Sequence, residues 1–218
     1  MVDNKLGWNQ QIDHITRSSK KMCGWLLSVF HTRDSKILLS LFISLIRSKL
    51  EYCGVLWNPY LIKDIVKIEG VQRNFTSRVK GMAGLNYWER LQVLQILSLQ
   101  RRRERAIILY LWRIKNKVVP NSFDMNFKEN KRMGGTKAVV KPLSKIKGRI
   151  GTIYDESFPI LSAKLWNVLP SNITKINSLN LFKINLDNFL SKIPDEPPLP
   201  GYPTLSNNSI LNQYKNVG

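Results

Sequence analysis

The chain has 218 residues, and 34 Lys or Arg against 15 Asp or Glu give it a formal charge of +19. Cys23 and Cys53 are too few for a disulfide framework, and the longest apolar run, about ten residues near Ile37 to Ile46, is too short to span a bilayer. What remains is a globular chain, 43% apolar and long enough to bury a core. Its basic balance points to a polyanionic partner, nucleic acid before an anionic membrane surface.

The charge is segregated. Val71 to Lys117 holds 11 basic and 2 acidic residues, Lys128 to Arg149 holds 8 and 1, and Asp155 to the end holds 5 and 5. Two cationic blocks therefore carry most of the excess, and the last third is neutral. The N-terminus shows no apolar stretch behind a basic one, so a nuclear or cytoplasmic, non-secreted protein is expected.

A first helix is predicted from about Asn9. Ile12, Ile15, Ser19, Met22, Leu26 and Val29 recur at three and four and define one core-facing stripe. Asp34 is placed to cap a second helix, about Ser35 to Lys49. Its apolar residues Ile37, Leu38, Leu41, Phe42, Leu45 and Ile46 cover most of the circumference, which predicts a central buried helix. An aromatic turn from Leu50 to Tyr60 closes this unit at Pro59.

Leu61 to Lys80 is the clearest amphipathic helix. Ile65, Ile68, Val71, Phe75 and Val79 share one face, Lys63, Lys67, Asn74 and Arg78 the other, and Gly81 and Gly84 stop it. Asn86 with Glu89 reads as a capping box opening a short helix to about Ile96. Ser98 then caps a helix to about Lys117. Four arginines in its first turns, Arg101, Arg102, Arg103 and Arg105, oppose the helix dipole by roughly 0.3–1 kcal/mol each at exposed sites. Two readings stand: a solvated face, or a face whose cost an external phosphate offsets.

Asn116 to Asn130, with Pro120 and Asn121, reads as a linker. From Lys145 to Ile150 cations fall at alternate positions. As a strand, Lys145, Lys147 and Arg149 would share one face and could lie along a phosphate backbone; a disordered basic loop is the alternative. Ser157 to Leu169, closed by Pro170, and a helix capped by Ser178 carry complementary apolar stripes and suggest a helical hairpin. The proline-rich end from Pro194 is expected to be disordered.

The sequence offers no converging carboxylates of the two-metal type. Its adjacent acids, Asp155-Glu156 and Asp195-Glu196, read as a cap and as solvated charge. His14, His31, Cys23 and Cys53 lack zinc spacing, and no phosphate-binding glycine loop or nucleophile motif is present. Neither a catalytic residue, nor a metal ligand, nor a cofactor, nor a small-molecule substrate is expected.

The segment Leu50-Glu51-Tyr52-Cys53-Gly54-Val55-Leu56-Trp57-Asn58-Pro59 resembles the LEYGxxVWxP signature of non-LTR (LINE-type, jockey-like) retrotransposon reverse transcriptases. Ile68 to Thr76 is similar to their IExVQRRFT segment, and Tyr87-Trp88-Glu89-Arg90-Leu91 to YxxRL. Leu97 to Arg102 resembles LxSLxxRR, with Gln100 where an acid is common. Phe158 with Leu165-Trp166-Asn167-Val168-Leu169-Pro170 resembles F…LWNxLP, and Asp3 to Trp8 the strand end that follows the palm. The motifs span roughly residues 2 to 192 and arrive in family order.

The resemblance implies the thumb and C-terminal region of an RNA-directed DNA polymerase. The catalytic palm, with its Asp-Asp motif and the Mg ions intact relatives would use, is expected to lie before Met1. The expected fold is mainly α: a palm remnant at 1–8, a helical thumb-like bundle at 9–119, a basic linker or β-ribbon at 120–154, a small C-terminal helical hairpin at 155–193 and a disordered tail at 194–218. The expected partner is nucleic acid (RNA, an RNA/DNA hybrid or DNA), with no membrane. The phosphate-contacting residues would be Arg73, Arg78, Lys80, Arg90, Arg101, Arg102, Arg103, Arg105, Lys145, Lys147 and Arg149. Tyr52, Trp57 and Trp88 could stack on bases or serve as core. The alternative is a helical interaction module that docks an acidic protein partner.

Overall fold

The computed structural model describes residues 8–129, 134–140, 153–195 and 208–213. The fold is mainly α. In order come α1 (Asn9–Val29), α2 (Ser35–Leu41), a π-helical turn (Phe42–Arg47), α3 (Ser48–Glu51), α4 (Ile62–Thr76), α5 (Tyr87–Leu94) and α6 (Leu99–Lys115). The strands β1 (Asn126–Glu129) and β2 (Thr136–Val139) follow, then α7 (Phe158–Val168), α8 (Ser171–Thr174), α9 (Leu179–Leu190) and α10 (Ile210–Gln213). The chain divides into two compact units. The first runs to Arg103 and includes the segment beginning at Asp195; the second is Glu104–Pro194 with the segment beginning at Asn208. The division falls inside α6, not at the expected boundary after 119.

In the first unit, Ile12, Ile15 and Leu26 of α1 meet Leu38, Phe42, Ile46 and Leu50 of the second helical stretch and Ile68, Val71 and Phe75 of α4. Phe42 and Phe75 stack at 4.8 Å. The expected stripe of α1 ends one turn early, because Val29 is half-exposed next to the helix end at Phe30. There Arg33 donates to the carbonyls of Phe30 (2.5 Å) and Leu27 (3.0 Å), satisfying groups the helix leaves open. The expected central helix is one-sided instead. Leu38, Phe42, Ile46 and Leu50 are buried, but Ile37 is 47% and Leu45 41% exposed. The wide turn at Phe42–Arg47 keeps one row on the core and leaves the other outside.

Local signals decide the helix starts. Asp34 accepts from the amides of Lys36 and Ile37, and Asn86 with Glu89 forms the full capping box. Gly81 and Gly84 hold φ of 81° and 80° in the turn before α5, where a side chain would be strained. α4 itself ends at Thr76, short of them. Ser178 precedes α9 as expected, but its side chain makes no cap bond.

In the second unit β1 and β2 pair antiparallel, Asn126 opposite Val139. This hairpin lies upstream of the basic stretch expected to form a ribbon; Lys145, Lys147 and Arg149 lie outside the described residues. Trp166 is fully buried, stacks on Phe182 at 5.8 Å and donates from Nε1 to the Thr136 carbonyl at 2.9 Å. Asn167 exchanges two 3.0 Å hydrogen bonds with the backbone of Ala138, closing the free edge of β2. The Leu165-Trp166-Asn167 motif is thus a brace between α7 and the hairpin.

The expectation of disorder beyond Pro194 does not hold at its described positions. Asp195 accepts from the Ser98 amide (2.7 Å) and hydroxyl (2.8 Å) in the first unit. In the second, Ile210 is fully buried and its amide donates to Glu104 at 2.9 Å. Hydrogen bonds to the Asp195 carboxylate at the first point, and the burial of Ile210 with the Glu104 acceptor at the second, offset the ordering entropy.

Candidate nucleic-acid interface

The eleven cations expected to meet phosphate separate into four groups. Those at the start of α6 are turned inward. Arg101 is fully buried, Arg103 nearly so, and the Asp195 carboxylate lies 3.9 Å from Arg101. Arg102 forms a fork-on-fork pair with Glu51 in the first unit. Arg105 makes the same pairing with Asp187 in the second, at 2.5 and 2.7 Å. The expectation of a phosphate-facing arginine row on α6 is corrected by this geometry. The anions that offset the cations at the helix N-terminus belong to the chain itself.

Glu69 completes that arrangement. It is fully buried, accepts from the amides of Leu99 (3.0 Å) and Gln100 (3.3 Å), and takes a short hydrogen bond from the Tyr87 hydroxyl. Burial raises its pKa, against the lowering effect of Tyr87 and of nearby Arg103. Gln72 donates to the same hydroxyl at 3.0 Å and to the Leu97 carbonyl at 3.1 Å. Tyr87 is therefore fixed at its polar end, and burial followed by the Glu69 charge pushes its pKa well up.

The ring of Tyr87 holds the second group. The guanidinium carbon of Arg73, from α4, lies 5.1 Å from the ring centroid, and that of Arg90, from α5, lies 5.9 Å away. Such contacts contribute about 1 kcal/mol each in part-buried settings. Arg90 also donates to the Leu85 carbonyl at 3.2 Å and, longer, to that of Arg73 at 3.4 Å. Burial lowers the Arg90 pKa and the Arg73 charge lowers it further, with Tyr87 opposing. Among the described residues neither arginine has a carboxylate partner, and the Nε of each is buried without an acceptor. Two like charges share one ring, with donors to spare and no anion.

Arg78 and Lys80 form the third group, in the turn after α4, where both side chains are exposed. The fourth group, Lys145, Lys147 and Arg149, lies outside the described residues. Of the candidate stacking residues, Trp57 is buried and donates to the Tyr52 carbonyl at 2.8 Å, so it is core. Trp88 is half-buried against Tyr87 at 4.9 Å, and Tyr52 is 76% exposed. Reading the sequence missed Glu69, Glu51 and Asp195 as internal counter-ions and Tyr87 as a platform. The Tyr87–Arg90 spacing of three on a helix was the one available clue.

Among the described residues no group of His, Cys, Asp and Glu is placed to hold a metal ion, and no helix is long and apolar enough to cross a membrane. Comparison with protein-family models, curated proteins and solved structures finds no match.

Proposed function

We propose that this chain binds nucleic acid by its phosphate backbone, as a non-catalytic unit of the kind found in the thumb and C-terminal region of a non-LTR reverse transcriptase. The observation that carries the reading is the Arg73–Arg90 pair on Tyr87, two guanidinium groups with no carboxylate partner among the described residues, with exposed Arg78 and Lys80 between them in sequence. The order of the reverse-transcriptase-like motifs and the net charge of +19 support it. On this reading the chain supplies grip and register and no chemical step, since phosphate contacts position a duplex without reading its sequence. The partner is RNA, an RNA/DNA hybrid or DNA.

The test is binding of an RNA/DNA hybrid across a salt series. Four phosphate contacts predict an affinity loss of about a hundredfold between 50 and 200 mM salt. An affinity that stays flat across that range contradicts the proposal.

A second reading draws on the half-exposed Ile37 and Leu45 of the second helical stretch. It is a helical interaction module whose apolar row and surrounding cations dock an acidic protein. Retention of a protein, and no nucleic acid, after nuclease treatment of a lysate favours it over the first.

A further inference from the structure

The outer face of α1 is solvent-exposed along its length. At 100° per residue, Arg17, Lys21, Gly24, Trp25 and Ser28 fall within about 100° of arc, opposite the buried Ile12, Ile15, Ser19 and Leu26. Arg17, Lys20 and Lys21 are exposed, and none makes an ion pair or side-chain hydrogen bond among the described residues. The acid of this helix, Asp13, is already held by Lys67.

Two further observations mark this face. Trp25 is 53% exposed, and no aromatic ring or guanidinium packs on its indole among the described residues. Tryptophan is normally among the more buried side chains, so a half-exposed indole on one stripe with Arg17 and Lys21, uncovered among the described residues, marks a candidate contact surface. Next to it stands Gly24, in the helix interior, where a Cβ would meet nothing within 4 Å. Glycine weakens a helix interior, and packing gives no reason for one here. An open backbone, a bare indole and flanking cations lie on one stripe.

We propose that this face of α1 is a second nucleic-acid contact, a stacking platform for unpaired bases, with Trp25 under a base, Arg17 and Lys21 on the flanking phosphates, and Gly24 leaving room for close approach. It rests on the nucleic-acid reading above but concerns single strands, which that reading does not specify. Cations flanking an aromatic face are what strand binding without sequence preference requires.

The full chain is titrated with a short single-stranded oligouridylate and with a fully paired RNA/DNA hybrid. Trp25→Ala is expected to lower single-strand affinity about tenfold and leave hybrid affinity within about twofold. Gly24→Ala favours the helix, so folding is retained, and it is expected to lower single-strand affinity several-fold. If both variants bind the oligouridylate like the parent while Arg73→Gln weakens hybrid binding, this inference is overturned and the phosphate reading stands. If the parent binds neither nucleic acid, both fall. Trp25-dependent capture by phosphatidylserine vesicles, with oligouridylate binding indifferent to Trp25, assigns the face to a membrane surface and also overturns it.

Discussion

At the scale of single residues, sequence position is a poor guide to what an arginine does. Arg101, Arg102, Arg103 and Arg105 form the densest cationic cluster in the chain, yet two are buried and two are matched by carboxylates. Arg73 and Arg90 stand alone in the sequence and meet only because α4 and α5 bring them to one ring. Substitution should separate the two classes. Arg101→Ala should cost about 3 kcal/mol of stability, since it leaves Asp195 short of a partner and opens a filled site; thermal unfolding reads it. Arg73→Gln should leave the melting temperature within a few degrees. The cysteines give an independent check of burial. Burial pushes the Cys23 thiol up to about 11 from 9.0, whereas Cys53 is exposed. Iodoacetamide near neutral pH should therefore modify Cys53 first, with Cys23 lagging by about a hundredfold or more until the chain unfolds. Equal rates would show that α1 does not pack as described.

At the scale of elements, what was legible was what neighbours in sequence decide. The Asp34 cap, the Asn86–Glu89 box and the amphipathic faces of α4 all follow from spacing and side-chain chemistry. What was not legible depends on partners far along the chain. The start of α6 is held by Glu69, 30 residues upstream, and by Asp195, 97 residues downstream of Ser98. No local pattern announces either. The apolar excess on the second helical stretch misled for a related reason: a helix with apolar residues all round still has only as much cover as its neighbours provide, and Ile37 and Leu45 have little.

The Glu69 anchor has a pH signature. Its folded pKa lies above its ordinary 4.5 because burial disfavours the charged form. The stability it contributes is full below about pH 4.5 and is lost as pH rises through the raised folded value. Asp64, also raised by burial, adds a term of the same sign. Denaturant unfolding at several pH values should thus show Glu69→Gln losing part of that slope relative to the parent, with Asp64 common to both. Glu69→Ala, which strands the Leu99 and Gln100 amides and the Tyr87 hydroxyl, should cost about 3 kcal/mol. It should also weaken nucleic-acid binding by releasing the ring that holds Arg73 and Arg90.

At the scale of the whole molecule, the mainly α architecture was readable from periodicity, and the two-unit division was not. α6 is one continuous helix by every local signal, yet Arg103 belongs to one compact unit and Glu104 to the next. The net charge was readable too, but not its distribution between internal ion pairs and free surface. On the proposed function, Arg73, Arg90, Arg78 and Lys80 meet the phosphates of a duplex, whereas Arg101, Arg102 and Arg105 face the chain's own acids. The most direct measurement is the slope of log affinity against log salt for an RNA/DNA hybrid, taken for the parent, the Arg73→Gln/Arg90→Gln double variant and Arg102→Gln. The account predicts that the double variant loses about two units of slope and that Arg102→Gln keeps the parent's. A double variant with the parent's slope, beside an Arg102→Gln variant whose slope falls, would contradict it.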